Sequence, residues 1–103
     1  MNNVSLIGNL TRDPEIRYTQ SGMAVATLSV AINRGKDKNG EDRGADFPRV
    51  IVFGSQAENC QKYLCKGKKI GVTGRIQTDS YEREDGSKVY TTDVVASRVE
   101  FLS

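Results

Sequence analysis

The chain carries 103 residues, room for a single domain spanning 1-103 and no second one. Its 15 Lys+Arg against 13 Asp+Glu leave a formal charge of +2, too nearly balanced to mark a basic nucleic-acid protein by net charge. With no His, Ser-His and Cys-His nucleophile pairs, His general bases and His metal ligands are all excluded, so catalytic readings lose most of their ground.

A hydrophobic content of 37%, with four Tyr, three Phe and no Trp, suits a small barrel or sandwich. No run approaches the roughly 20 apolar residues of a membrane span. Met1-Asn2-Asn3-Val4 lacks the basic-then-apolar plan of a signal peptide, so the expectation is a soluble, cytoplasmic protein.

Val4 to Leu10 reads as a short strand stopped by the polar run Thr11-Arg12-Asp13-Pro14, and Glu15 to Tyr18 as a second short extended piece before the turn Thr19-Gln20-Ser21-Gly22. The longest alternation follows, with Ala24, Ala26, Leu28, Val30 and Ile32 on one side and Val25, Thr27, Ser29, Ala31 and Asn33 on the other. Arg34 to Asp46 holds three glycines, seven charged side chains in its first ten residues and no large apolar group, which predicts a long mobile loop.

Phe47 to Phe53 alternates again, Phe47, Arg49, Ile51 and Phe53 against Pro48, Val50 and Val52, with Pro48 confined to a strand start or an edge. Ser55-Gln56-Ala57-Glu58 predicts a capping box opening a helix that runs to Lys66, with Gly67 as its stop and Lys62 and Lys66 near the negative dipole end. Ile70 to Tyr81 is a long strand, Ile70, Val72, Gly74 and Ile76 facing one way and Arg75, Gln77, Asp79 and Tyr81 the other. An Asp85-Gly86 hairpin signal returns the chain through Lys88 to Phe101, where the alternation slips and predicts a bulge near Ser97.

Cys60 and Cys65 lie five residues apart, and in a helix steps of about 100° set them about 140° apart around the axis, where they cannot bridge. Two thiols without His cannot complete the usual zinc set, and no base is at hand to activate a catalytic Cys. Cys60 shares the helical face of Ala57 and Leu64 and reads as a small buried hydrophobe. No metal and no cofactor are expected.

The order strand, strand, strand, helix, strand, strand is that of an OB-fold: all-β with one short helix, a five-stranded Greek-key barrel with the helix between its third and fourth strands. Such folds bind oligonucleotides or oligosaccharides on a sheet face and its loops. Here the outward residues include Phe47, Arg49 and Phe53 on one strand and Arg75 and Tyr81 on another. Aromatic faces on which bases stack, interleaved with cations that follow phosphates, are what sequence-independent binding of a single strand needs. The opposite assignment buries Phe47 and Phe53 and exposes Val50 and Val52; Arg49 weighs against it, because an inward guanidinium would need a buried partner.

Charge is also unevenly distributed. Cys60 to Arg75 holds five basic residues and no acid, whereas Asp79 to Asp85 holds four acids and one Arg. In the loop, Lys36 and Lys38 are individually weak candidates for phosphate contacts. A solvated helix end accounts equally well for Lys62 to Lys69.

The run Gly8-Asn9-Leu10-Thr11-Arg12-Asp13-Pro14-Glu15-Ile16-Arg17-Tyr18, the segment Ser21-Gly22 to Ala26, Ala57-Glu58 to Tyr63-Leu64, Lys66-Gly67, and Gly74-Arg75-Ile76-Gln77-Thr78 with Tyr90-Thr91-Thr92 together resemble the bacterial single-stranded DNA-binding protein family. The likeness runs from Val4 to Leu102. It implies an OB-fold protomer, usually a homotetramer, that wraps single-stranded DNA in replication, recombination and repair at the nucleoid. It also implies stacking aromatics at Phe47, Phe53 and Tyr81, a strand arginine at Arg49, loop and helix-end cations at Lys36, Lys38 and Lys66, and a basic contact at Arg17.

The chain departs from that family in several places. Gly35 stands where many members have a loop Trp, and Phe47 and Tyr81 replace other Trp positions, so weaker binding per site is expected. Asp79 and Ser80 replace basic residues before the Tyr81 position. Members normally continue into a flexible linker and an acidic tip that recruits partners. This sequence stops at Ser103, as a shortened paralogue or a truncated chain would, and tail-mediated recruitment of replication and repair proteins is not expected from these residues.

Two other readings remain at this point. One is a primosome-type OB-fold accessory protein acting mainly through protein contacts. The other is an OB-fold nuclease needing a carboxylate cluster, for which only the turn acids Asp79, Glu82, Glu84 and Asp85 are available.

Overall fold

A computed structural model describes all 103 residues. The elements are β1 (Val4–Leu10), β2 (Glu15–Tyr18), β3 (Ala24–Asn33), β4 (Ala45–Asp46), β5 (Arg49–Phe53), α1 (Ser55–Tyr63), β6 (Lys69–Glu82) and β7 (Lys88–Phe101). Hydrogen-bonded neighbours run β1–β6–β7–β5–β3, and β3 returns to β1 through Asn9 opposite Ala31 and Leu10 opposite Val30. The sheet therefore closes on itself as a ring. β2 and β4 are appended to β3. All pairings are antiparallel except β5 with β7, which run parallel through Val50 opposite Val94 and Ile51 opposite Val95. This is the OB-fold that the element order predicts.

Period-2 alternation decides what fills the ring. Ala24, Ala26, Leu28 and Val30 of β3 point inward, as do Val50 and Val52 of β5, Ile70 and Val72 of β6 and Val94 of β7. Helix α1 plugs one end with Ala57 and Cys60, and Leu64 follows just beyond it. Burial raises the Cys60 thiol to about 11, as desolvation of a thiolate requires. Cys65 is exposed and unbonded, so both cysteines are free thiols.

The bulge lies where the alternation slips. Gly74 pairs with Ala96 and Thr73 with Arg98, leaving Ser97 as the extra residue, its hydroxyl donating to the Thr73 carbonyl at 3.0 Å. A Cβ at position 74 would collide with the Val95 carbonyl, so the bulged strand can approach this closely only at glycine. Gln56 of α1 clamps the same spot, donating to the Ser97 carbonyl at 3.0 Å and accepting from the Val99 N–H at 3.1 Å.

Three local expectations change. The helix N-cap is Gly54, with no side-chain cap bond, and Ser55 is already helical. Gly54 adopts φ +70° with its N–H held by the Ala24 carbonyl at 2.8 Å, so the chain turns into the helix one residue before the capping box could act. The helix ends at Tyr63 instead of Lys66, because Leu64 must leave the helix in extended conformation to reach the core, where it is 6% exposed. Gly67 instead serves the turn Cys65–Lys68, its N–H donating to the Leu10 carbonyl at 2.9 Å.

The segment 34–46 is the third change: it is a hydrogen-bonded ribbon and not a loose loop. Arg34 N–H donates to the Gly44 carbonyl and Arg43 N–H to the Gly35 carbonyl, each at 3.0 Å, and the backbones of Lys36 and Asp42 pair antiparallel. Asp37 Oδ1 closes the tip by accepting from the N–H groups of Asn39 and Glu41. β5 starts at Arg49, directly after Pro48, at the strand-start position expected for a residue without an N–H.

Candidate nucleic-acid interface

None of the seven aromatic side chains is in the core. Tyr18, Phe47, Phe53, Tyr63, Tyr81, Tyr90 and Phe101 are all exposed, from 42% for Phe101 to 72% for Tyr90. The ring is filled by aliphatic residues, alanine and one cysteine. Large apolar rings normally supply core area, so their placement wholly outside marks a surface built for contact.

Strand register shows which of them share a face. Directly paired residues project to the same side. Arg17 of β2 lies opposite Val25 of β3, which lies opposite Phe53 of β5. One row over, Thr27 lies opposite Ile51, Ile51 opposite Val95 of β7, and Val95 opposite Arg75 of β6. In the next row Ser29 lies opposite Arg49, and Asp93 opposite Gln77. Phe53, Arg17, Arg49 and Arg75 therefore occupy one continuous outer face running β2–β3–β5–β7–β6. A shallow depression of about 340 Å³ opens on it, with Arg17 and Arg49 over a floor of Val25, Thr27 and Ile51. The burial of Phe53 weighed from sequence does not occur: Val50 and Val52 are 0% exposed and Phe53 is 44% exposed.

Tyr81 shares the phase of Arg75 and Gln77 but sits on the projecting β6–β7 arm, opposite Val89, and is 55% exposed. Phe47 is displaced from its expected row. It precedes Pro48, outside β5, and lines an apolar hollow of about 530 Å³ at the open end of the ring with Val4, Leu6, Ile32, Ile76 and Val94. Lys36 and Lys38 project from the 34–46 ribbon with no carboxylate partner. Lys66 lies off the sheet face, in the turn after α1, where its N–H donates to Asp13 at 2.8 Å.

The cations on the face are not equivalent. Arg17 and Arg75 form no ion pair, whereas Arg49 binds Asp93 through two bonds, Nε to Oδ1 at 2.7 Å and Nη2 to Oδ2 at 2.9 Å. Asp93 raises the Arg49 pKa further, mainly through this hydrogen bonding, with burial opposing and the Asp93 charge adding to the rise. Sequence reasoning missed Asp93. Its outward phase between Thr91 and Val95 was a usable signal, but the parallel β5–β7 pairing that delivers it to Arg49 was not.

No three His, Cys, Asp or Glu side chains converge as a metal site, and no helix is long and apolar enough to cross a membrane.

A ring-closed sheet of this order with one end-capping helix places the chain in the OB-fold class, here with an aromatic and cationic outer face. The model of the Single-strand binding protein family matches residues 1–102. The chain belongs to that family. It is 51% identical over 99% of its length to single-stranded DNA-binding protein 1 of Staphylococcus aureus strain MSSA476 and covers 65% of that protein. To the single-stranded DNA-binding protein of Bacillus cereus it is 49% identical over 99% of its length, covering 60% of that relative. The chain thus spans less than two thirds of these relatives. A solved Plasmodium falciparum SSB complex with ssDNA superposes with a TM-score of 0.89 at 28% identity, over 100% of this chain and 96% of that one.

Proposed function

We propose that this protein binds single-stranded DNA without reading its sequence, stacking bases on exposed aromatics and attracting phosphates with unpaired cations, in replication, recombination and repair. The observation that carries this is the exclusion of every aromatic ring from the core together with the outer face joining Phe53 to Arg17, Arg49 and Arg75. Phe53 and Tyr81 are the stacking residues, and Phe47 extends the track to the ring mouth. Arg17, Arg75, Lys36 and Lys38 act on phosphates, and Lys66 guides the strand past the helix end. Each stacked base contributes about 1–3 kcal/mol by the usual measure.

The working form is a homotetramer in the bacterial cytoplasm, associated with the nucleoid. The protein catalyses no reaction and needs no cofactor. The accessory-protein reading, acting mainly through protein contacts, is not favoured by the family match or by the aromatic face.

The test is a titration of labelled oligo-dT and of a duplex of equal length at several salt concentrations, with light scattering of free and bound protein. Tight binding of the single strand, weakening as salt rises, is expected from a chain that neutralises phosphates. Equal affinity for the duplex, or no binding without a partner protein, would overturn the reading.

A further inference from the structure

The Arg49 guanidinium enters the outer face already matched. Two of its five N–H donors engage both carboxylate oxygens of Asp93, at 2.7 and 2.9 Å, and three remain directed elsewhere. Half of the Arg49 side chain is exposed but only 20% of the Asp93 side chain is, so the carboxylate is the more deeply seated partner. The residues paired with them across the sheet, Ser29 opposite Arg49 and Gln77 opposite Asp93, are uncharged. No second cation or acid completes a network.

Pulling Arg49 away toward a phosphate would strand a largely covered carboxylate beside a polyanion. Leaving the pair intact gives a flat, oriented guanidinium of zero net pair charge above the Ile51 and Thr27 floor. Guanidinium planes of this kind stack on bases and offer donors to their edges.

We propose that Arg49 and Asp93 act together as one neutral base-contacting plate, and that the phosphate-neutralising work of this face falls to Arg17 and Arg75. Asp93 is a positioning residue: it holds the plane of Arg49 and removes its charge from the salt dependence of binding. The inference rests on the single-strand-binding reading above.

The discriminating experiment measures the slope of log affinity against log salt for oligo-dT binding. Wild type, the double variant R49M/D93N and the single variant D93N are compared. Each phosphate neutralised on a single strand contributes about 0.7 to that slope. The double variant conserves net charge; it is expected to bind about fivefold or more weakly with the wild-type slope. D93N frees the Arg49 charge and is expected to steepen the slope by about 0.7 and tighten binding at low salt.

A double variant whose slope falls by about 0.7 would show that Arg49 pairs with a phosphate and would overturn the proposal. So would a D93N slope equal to that of wild type, which decides the matter alone if the double variant does not fold. Failure of the wild type to bind oligo-dT is a separate result and sinks the function reading beneath.

Discussion

The two sides of the same strands have been given different chemistries. Inside the ring, β3 and β5 present Ala24, Ala26, Leu28, Val30, Val50 and Val52, compact aliphatic groups with no polar atom to satisfy. One residue along, the same strands present Val25, Thr27, Arg49, Ile51 and Phe53 to the exterior. The interior is small, with 15 buried residues of 103, although seven aromatic rings were available to enlarge it. Aromatic area has been kept for the outer surface and the arms, where a ligand can cover it. Under the proposed function, stability and recognition are separated residue by residue along each strand, and substitutions on the two sides should fail in different ways.

The largest effect is expected inside. Leu28→Ala removes a 0%-exposed side chain at the centre of the ring and should cost about 2–5 kcal/mol in urea unfolding, with the affinity of the folded fraction for oligo-dT unchanged. An equal loss of affinity in the folded fraction would break the division.

A second interior test uses pH. The Cys60 thiol rises from an ordinary 9.0 to about 11 on burial, so the folded state holds this proton more tightly than the unfolded state. Its contribution is complete below the unfolded value and is lost as pH climbs toward and through about 11. The loss is on the order of 2–3 kcal/mol. Urea unfolding of wild type and Cys60→Ala at pH 8 and pH 11 isolates it, the variant showing the smaller decline.

The smallest effects lie on the ribbon. Lys36→Ala and Lys38→Ala should each flatten the salt slope of oligo-dT binding by about 0.7 while leaving the melting temperature alone.

How far the sequence disclosed this depended on the range of the forces involved. The inward face of β3 follows from a strict period of two, and the bulge at Ser97 from the slip in that period between Ala96 and Val99. The outward turn of Phe53 could be inferred because Arg49 shares its phase and an inward guanidinium has no partner in a core without buried polar groups.

Other features escape periodicity and composition, some because distant contacts set them and some because a local hydrogen bond or a proline does. Leu64 ends the helix early because the core claims it, overriding the lysine and glycine signals that follow. The 34–46 ribbon is ordered by Asp37 and Asp42 accepting backbone N–H groups, whereas composition registers only charge and glycine. Phe47 leaves the row of Arg49 and Phe53 because Pro48 keeps the strand from starting earlier. The Arg49–Asp93 pair spans 44 residues and depends on the one parallel pairing in the sheet, which no local pattern announces.

Whether outward aromatics serve the ligand and not the fold is decided by Phe53→Ala, with its melting temperature and its oligo-dT affinity measured on the same preparation. The expected result is a melting temperature within a few degrees of wild type and an affinity about 5- to 150-fold weaker, the equivalent of one lost stacking contact of about 1–3 kcal/mol. A destabilised protein that retains wild-type affinity would contradict it, placing Phe53 in service of the fold.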